Sequence, residues 1–321
     1  MKWKLFKASL LEIGSARITG EPADASEQSH AGPGAGEKGS VFFSAGGKRV
    51  RLSIDDNSPV EIHHFGDGRA ELIFKDTKVS GVIEKTGFHC PRQAYITVSE
   101  GCIYNCRFCN VPSQPPRIKT PEEIVKMVAG VKDRIDCISI TSGVIGNPKE
   151  DETRVLEVIK ELRAFRLPIG VSIYPLLGTP KRLKDLGVLE IKFNLETATD
   201  ELFTKMCPLL NRQEIMDALT ASVSIFGKNR VFTNIILGLG ETDDEMKQCI
   251  KELTQAGIIP VIRPLNPSGE LSDLKRPSAK RILEISDFLE GELLKTGLSC
   301  REAKTMCTLC TGCDMVPGAD S

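Results

Sequence analysis

The chain has 321 residues, 40% of them hydrophobic, and a formal net charge of −1, which is typical of a globular protein with one large and one smaller domain. Because it has no basic excess and only 5% aromatic residues, the sequence lacks the electrostatic pattern of a nucleic-acid-binding protein. No apolar run is long enough to cross a membrane, so we expect no membrane partner.

The eleven cysteines are the most informative part of the composition. The start of the chain lacks the uninterrupted apolar core and cleavage site of a signal peptide, so the cysteines favour a cytoplasmic protein with metal sites rather than disulfides. All four histidines precede residue 90. The rest of the chain therefore offers Cys, Asp, Glu, Arg, Tyr and cofactors for chemistry, but no histidine.

Residues 1–90 are predicted to form a small β-rich appendage to the main domain. The stretch 20–47 is rich in Gly, Ala, Ser and Pro and is expected to be a mobile loop. Short segments of β character, separated by turn residues, follow it at 48–54, 60–64, 70–74 and 79–83.

Cys102, Cys106 and Cys109, which we call the loop cysteines, follow an apolar strand with C-x3-C-x2-C spacing. Three thiolates can hold a cubane iron–sulfur cluster through three irons and leave the fourth iron open. An open metal position is where a ligand binds and chemistry begins. The alternative, a zinc site, needs a fourth ligand, and no Cys or His lies between Cys109 and Cys137.

The loop resembles the signature of the radical S-adenosylmethionine (SAM) enzymes, including the aromatic Phe108 before the third cysteine. The resemblance implies a [4Fe–4S] cluster on the loop cysteines, with SAM chelated at the open iron and with Tyr104 and Phe108 beside the cofactor. It also implies reductive cleavage of SAM to methionine and a 5′-deoxyadenosyl radical, which abstracts hydrogen from an unactivated carbon.

Strands and amphipathic helices alternate over residues 91–296. The predicted strands are rich in Ile and Val, as parallel strands buried on both faces are, and cover 94–98, 137–141, 169–174, 189–194, 230–237 and 259–264. Predicted helices begin near 121 and cover 150–165, 212–226, 242–256 and 278–295. This α/β pattern predicts a partial (β/α)6 TIM barrel, which the radical SAM resemblance also implies, with the active site at the carboxyl ends of the strands.

Four of these strand ends carry candidate contacts to SAM, and those at 193–197 and 234–242 resemble the corresponding segments of biotin and lipoyl synthases. Glycine lets a backbone approach a ligand closely, and residues two apart on a strand share a face. The candidates are Ser142, Gly143, Asn194, Glu196, Gly238, Gly240 and Arg263. Each end also has a structural alternative: a tight turn, a helix cap or a salt bridge.

Cys307, Cys310 and Cys313, which we call the tail cysteines, have C-x2-C-x2-C spacing in the predicted tail, residues 297–321. Their type and spacing favour an auxiliary [4Fe–4S] cluster. The alternative is a zinc site with Cys300 as its fourth ligand. In a cluster, the fourth ligand could be Cys300, Cys90 or a group other than cysteine.

The tail cysteines differ from the auxiliary sites of the common lipoyl and biotin synthases. The arrangement over about residues 90–315 instead resembles a subunit of the archaeal-type, two-protein lipoyl synthase. That resemblance implies insertion of sulfur from the auxiliary cluster into an octanoyl chain carried on a lysine of a lipoyl-domain protein. It also implies a second radical SAM protein and an electron donor such as ferredoxin as partners.

Other interpretations of the sequence stay open. One is a radical SAM enzyme of cofactor maturation or peptide modification, in which the auxiliary cluster transfers electrons or anchors substrate. A second is a binding or electron-transfer module without catalysis. A third is a zinc-binding regulatory domain.

Overall fold

A closed sheet forms the amino-terminal part of the computed structural model, which describes residues 2–22, 28–30, 39–86 and 88–320. Its strands pair in the order β2-β3-β4-β1-β5-β6-β7, and β3 also pairs with β7, which closes the sheet. The elements are α1 (Trp3–Ile13), β1 (Ser15–Gly20), β2 (Gln28–His30), β3 (Gly39–Ala45), β4 (Lys48–Ile54), β5 (Glu61–His64), β6 (Arg69–Phe74) and β7 (Thr77–Ile83). Side chains such as Phe43, Leu52 and Ile62 fill its interior.

The prediction of a mobile loop over residues 20–47 was wrong where strands β2 and β3 occur. Val41, Phe42 and Phe43 of β3 are fully buried, and β3 pairs with β4 along its whole length. The surrounding Gly, Ala and Ser residues concealed this short apolar strand in the sequence. The rest of the predicted loop at 23–27 and 31–38 lies outside the described residues.

Six parallel strands make the main sheet of the described chain, and they pair in chain order, so the predicted partial (β/α)6 barrel is confirmed. The short strand β8 pairs antiparallel with β9 at one edge, and β16 forms the other edge. The strands are β8 (His89–Cys90), β9 (Gln93–Thr97), β10 (Ser99–Glu100), β11 (Arg117–Ile118), β12 (Cys137–Thr141), β13 (Ile169–Ser172), β14 (Glu190–Lys192), β15 (Val231–Leu237) and β16 (Ile259–Pro264). The small pair β10–β11 lies outside the main sheet.

Helices follow the parallel strands and cover the barrel. Thr120 and Thr242 begin two of them with capping boxes, in which the threonine hydroxyl and a glutamate satisfy free backbone N–H groups. The helices are α2 (Pro121–Ala129), α3 (Pro148–Leu162), α4 (Thr179–Asp185), α5 (Asp200–Met206), α6 (Arg212–Phe226), α7 (Asp243–Gln255), α8 (Ala279–Thr296) and α9 (Met306–Cys310). No helix in these described ranges is long and apolar enough to span a membrane.

The carboxyl-terminal tail packs against the barrel near the amino-terminal ends of its strands. Gln93, the first residue of β9, donates a hydrogen bond of 3.0 Å from its side-chain amide to the carbonyl oxygen of Met306. Glu190, the first residue of β14, accepts hydrogen bonds from the backbone N–H and the hydroxyl of Thr305, at 2.9 and 2.6 Å. A Cβ atom on Gly170 would lie 2.1 Å from the Thr305 hydroxyl oxygen, so the tail approaches β13 only because residue 170 is glycine.

The amino-terminal sheet holds the other side of the tail. The Arg49 guanidinium donates to the carbonyl oxygen of Cys310 at 2.8 Å, and the Arg51 N–H donates to the carbonyl oxygen of Gly312 at 2.8 Å. Lys7 of α1 is fully buried and forms an ion pair of 2.7 Å with Asp320. The first ninety residues are therefore joined to the tail, and helix α1 also contacts the barrel directly through ion pairs of Lys4 with Asp287 and Glu290 of α8.

Candidate active site

A cavity of about 1550 Å³ occupies the interior of the barrel, and both cysteine groups line it. Cys102 and Cys109 line it from the loop after β9, and all three tail cysteines line it from the tail. Every parallel strand of the barrel adds at least one side chain to the wall, including Thr97, Thr141, Ser172, Lys192, Asn234 and Arg263. Two cysteine groups about 200 residues apart in sequence thus share one chamber.

The loop cysteines are held by backbone contacts with the neighbouring strand ends. Ile103 N–H donates to the Val144 carbonyl oxygen at 2.8 Å, and Gly143 N–H donates to the Ser99 carbonyl oxygen at 2.9 Å. A Cβ atom on Gly143 would lie 2.1 Å from the carbonyl oxygen of Gly101, so glycine is required for the loop to pack here. Gly143 therefore has the role that the sequence offered as an alternative to SAM binding, namely a tight turn at the end of the strand.

The loop cysteines are half-buried thiols. Burial raises the pKa of Cys102, and it raises the pKa of Cys109 to about 12. Thiols with such pKa values keep their protons at neutral pH until a metal displaces them. Thiols of this type release their protons when they bind a metal, so we expect the loop cysteines to bind metal more tightly at higher pH.

The residue type and spacing of the loop cysteines suit an iron–sulfur cluster. In a cubane cluster three cysteines bind three different irons and leave the fourth iron open. Soft sulfur donors favour such a cluster, and two of the three, Cys102 and Cys109, line the cavity.

Polar side chains with unused hydrogen-bonding atoms line the same cavity above the barrel strands. The side-chain oxygens of Asn194 and Asn234 are buried and have no hydrogen-bond partner. A buried unsatisfied polar atom costs on the order of 1–3 kcal/mol, which marks these two amides as places where a ligand donates hydrogen bonds. The cavity therefore has a polar wall that suits an amino or hydroxyl group of a cofactor.

Glu196 lies on this wall in an unusual backbone conformation. Its φ angle is +64°, in the left-handed region, and backbone hydrogen bonds of 2.8 Å to Asn234 and Ile236 hold it there. Burial raises the pKa of Glu196 to about 7, although Lys192, Arg263 and a hydrogen bond from Asn194 act in the opposite direction. A carboxyl group with this pKa can bind a cation by releasing a proton near neutral pH.

Basic side chains surround the tail cysteines. The Lys192 ammonium nitrogen lies 3.3 Å from the Cys307 sulfur, and the Arg51 guanidinium lies 3.9 Å from the Cys313 sulfur. Both cations are buried, and two nitrogens of Arg51 have no hydrogen-bond partner. Because a buried cation is costly without an anionic neighbour, this environment fits a negatively charged group on the tail cysteines.

Electrostatics favour thiolates at two of the tail cysteines. Burial opposes ionisation of Cys307, but Lys192 and Arg263 outweigh it and lower the pKa of this thiol. The pKa of Cys310 is lowered to about 7, chiefly by a hydrogen bond from Cys90 and, against burial, by Arg49. These two thiols are therefore more readily metallated than the loop cysteines at the same pH.

Arg263 has a partner that the sequence did not indicate. Its guanidinium donates two hydrogen bonds, of 2.9 and 3.0 Å, to the carboxylate of Asp314, which is 1% exposed and belongs to the tail. Both residues line the cavity. The ion pair ties edge strand β16 to the tail beside Cys313 and uses two of the donors that we had assigned to a SAM or substrate carboxylate.

The predicted site residues divide into those that line the cavity and those that do not. Phe108, Ser142, Gly143, Asn194, Glu196 and Arg263 line it together with five of the six predicted metal ligands. Cys106, Tyr104, Gly238 and Gly240 are not among its lining residues in the described part of the chain.

The residues away from the cavity wall have other neighbours. The Tyr104 ring packs against Tyr174, with the ring centres 5.0 Å apart. Gly238 has a φ angle of +111°, and its N–H donates to the buried Glu241 carboxylate at 2.7 Å. The Gly-Leu-Gly turn is thus fixed by Glu241, which is a structural reason for its glycines.

Sequence reasoning missed several residues of the cavity wall, notably Arg51, His89, Tyr95 and Lys192. Lys192 did carry a signal, since it interrupts an apolar strand that is buried on both faces. The others carried none, because Arg51 and His89 come from the amino-terminal ninety residues. Their approach to the cavity depends on how that segment packs.

Comparison with known proteins agrees with this arrangement. Residues 96–253 match the family model of the radical SAM superfamily. Lipoyl synthase of Myxococcus xanthus is 28% identical over 61% of this chain and 70% of its own length. Lipoyl synthase of Mycolicibacterium smegmatis is 24% identical over 77% of this chain and 86% of its own length.

Solved structures resemble the fold. SuiB of Streptococcus suis, solved bound to S-adenosylmethionine, superposes with a TM-score of 0.55 at 12% identity. The match covers 65% of this chain and 49% of the SuiB chain, which is about half its length. At that identity the similarity concerns the fold alone, and it supports the partial barrel.

Proposed function

We propose that this chain is a radical SAM enzyme that acts as a lipoyl synthase-type sulfurtransferase; the family model match over residues 96–253 and the lipoyl synthase relatives support the proposal. In this proposal it cleaves SAM and inserts sulfur from an auxiliary [4Fe–4S] cluster into an unactivated C–H bond of an octanoyl chain. The lipoyl synthases among its relatives support the substrate class. The observation that carries the proposal is that two of the loop cysteines, Cys102 and Cys109, and all three tail cysteines line one cavity.

The loop cysteines would hold the SAM cluster, which when bound supplies the electron that cleaves SAM. Phe108, Ser142 and Gly143 line the cavity next to these ligands and would define the space for the cofactor. Asn194 and Asn234 would accept hydrogen bonds from it, because their side-chain oxygens lack partners. These residues would bind and orient the cofactor.

The tail cysteines would hold the auxiliary cluster, which when bound is the source of sulfur. The side chains of Arg51 and Lys192 place positive charge beside them, which stabilises thiolate ligands. A cavity of about 1550 Å³ leaves room for an acyl chain between the two cysteine groups. Substrate carbon could thus reach both groups within one chamber.

The proposed substrate is an octanoylated lipoyl-domain protein or a related acyl-lysine. A second radical SAM protein would complete the reaction if each protein inserts one sulfur, and a ferredoxin-type donor would supply electrons. The test is anaerobic incubation of the reconstituted protein with SAM, a reductant and an octanoyl-lysine peptide, with and without a candidate second protein. Mass spectrometry should show a peptide that has gained sulfur.

Cluster reconstitution with isotopically labelled sulfide distinguishes the proposal from its main alternative. Label in the product supports sulfur insertion from the auxiliary cluster. SAM cleavage without any gain of sulfur, under every combination, would contradict the lipoyl synthase-type activity. That result would favour a tail cluster that transfers electrons or anchors substrate.

A further inference from the structure

We infer that Cys90 is the fourth cysteine of the auxiliary site, so that this site is closed by protein ligands on all sides. The inference rests on the proposed function, because it concerns the cluster held by the tail cysteines. It specifies that the amino-terminal part of the chain, which ends at β8, supplies a ligand. The structure thereby separates two candidates that the sequence left open, Cys90 and Cys300.

Cys90 lies at the edge of the barrel sheet and faces the tail. It is fully buried, and it packs with Cys310 and Phe42 in one cluster. It lines the same cavity as the tail cysteines. Cys90 and the three tail cysteines, from two distant parts of the chain, therefore line the same cavity, and Cys90 packs directly with one of the three.

Cys300 and Cys137 have different surroundings although both are buried. Cys300 packs within the main hydrophobic core and is not among the cavity-lining residues of the described chain. Cys137, at the start of β12, is as fully buried as Cys90, and it too is not among those residues. These two cysteines are matched controls, since they share chemistry and burial with Cys90 but not its position.

The charges around the four thiols favour a four-cysteine cluster. Such a cluster carries a net negative charge, because four thiolates exceed the positive charge of the iron–sulfur core. Arg51 and Lys192 contact the sulfurs of Cys313 and Cys307, whereas Arg49, which donates to the Cys310 carbonyl oxygen, is already paired with the Glu84 carboxylate. A net negative group at this position offsets the cost of burying Arg51 and Lys192.

Closure by Cys90 has a functional consequence. An auxiliary cluster with three cysteines leaves an iron open to substrate, whereas a four-cysteine cluster leaves no open position. The four-cysteine site therefore does not anchor substrate through a metal bond. Substrate is instead positioned by the cavity wall.

The experiment uses the full chain with all three loop cysteines changed to alanine, so that only the auxiliary site can bind iron. After anaerobic reconstitution this parent should hold about four irons per chain. Adding Cys90→Ala should reduce iron and sulfide at least twofold, or yield a three-iron cluster visible by electron paramagnetic resonance (EPR). Adding Cys137→Ala or Cys300→Ala should leave the iron content and the spectrum of the parent unchanged.

Cys90→Ser provides a second variant of nearly the same size. Serine can bind iron through oxygen, so this variant should retain iron but change the EPR and Mössbauer spectra. Unchanged iron and spectra in both Cys90 variants, with iron lost from Cys307→Ala, would overturn the inference and leave the auxiliary cluster in place. Unchanged iron in Cys307→Ala as well would overturn the auxiliary cluster itself and, with it, the proposed function.

Discussion

The ammonium nitrogen of Lys192 lies 3.3 Å from the sulfur of Cys307, inside the barrel. Lys192 is 3% exposed and points from β14 toward the tail. Burying a lysine costs several kcal/mol unless an anion compensates it, and Lys192 lowers the pKa of the Cys307 thiol. The pair therefore places a buried positive charge of the barrel where it favours the thiolate form of a tail cysteine.

Removing this charge should change the electron affinity of the auxiliary cluster. In the chain without loop cysteines, Lys192→Met should shift the reduction potential to more negative values by about 60 mV or more, which is a tenfold change per electron. The reason is that reduction adds negative charge beside a cation that the variant lacks. An EPR-monitored redox titration measures the shift.

Lys192→Arg keeps the charge and is the matched control. Its potential should stay near that of the parent, because a cation remains within reach of Cys307. Equal potentials in the methionine and parent proteins would show that Lys192 does not act on a cluster at this site.

Cys207 should prove dispensable for the SAM cluster although its thiol contacts Cys106. A hydrogen bond with Cys106 and burial raise the pKa of Cys207, so it stays a neutral, core-packed thiol. Cys207→Ala should therefore retain the SAM cluster iron and SAM cleavage, with a loss of stability of about 1 kcal/mol. Iron analysis and 5′-deoxyadenosine production measure these effects.

Cys106→Ala is the comparison, and it should lose both the cluster and SAM cleavage. The two alanine variants are close in space and in size change, so only ligation distinguishes them. Loss of iron in Cys207→Ala to the extent seen for Cys106→Ala would contradict the assignment of ligands.

The barrel could be predicted from sequence because its signal is local. Strand β15 is buried along its entire length, and helix α6 ends where its apolar spacing ends. The short helix α4 was missed, since seven residues hold too little apolar periodicity to predict a helix. Helix α5 was indicated only by a helix cap before Asp200, and Thr199 is that cap in the structure. Strand β3 was missed because Gly, Ala and Ser residues surround its apolar core.

The candidate site was predictable where ligands are close in sequence and not where they are distant. The loop and tail cysteines have recognisable spacings, whereas Cys90, on β8 of the barrel sheet, meets the tail by a tertiary contact, and Arg51 reaches the cavity through packing of the amino-terminal sheet. The pairing of Arg263 with Asp314 is likewise a tertiary contact. Such contacts leave no spacing pattern, so the structure is needed to find them.

Binding of SAM should release a proton from Glu196. Burial raises its pKa to about 7 from an ordinary value of 4.5, and a cationic ligand on the same wall would lower it again. Near pH 6.5, calorimetry in two buffers of different ionisation enthalpy should detect release of roughly half to three-quarters of a proton per SAM. Glu196→Gln should bind SAM without this release.

The same pKa predicts how stability depends on pH. Because the folded-state pKa exceeds the unfolded one, Glu196 destabilises the fold progressively as the pH rises from about 4.5 to about 7. Glu196→Gln should therefore gain stability relative to the parent at pH 8 but not at pH 4. The free energy of unfolding of both proteins is measured at pH 4 and pH 8. The same difference between variant and parent at both pH values would contradict the raised pKa.

Gly170 is expected to decide whether the tail can dock against the barrel. In Gly170→Ala the new Cβ would lie 2.1 Å from the Thr305 hydroxyl oxygen, so the tail must shift, at a cost of about 1–3 kcal/mol. Iron at the tail cysteines should fall while SAM cleavage persists, because the loop cysteines are untouched. Gly291→Ala in helix α8 meets no atom within 4 Å and should leave both clusters intact. Equal auxiliary iron in the two variants would mean that close packing at Gly170 does not position the tail.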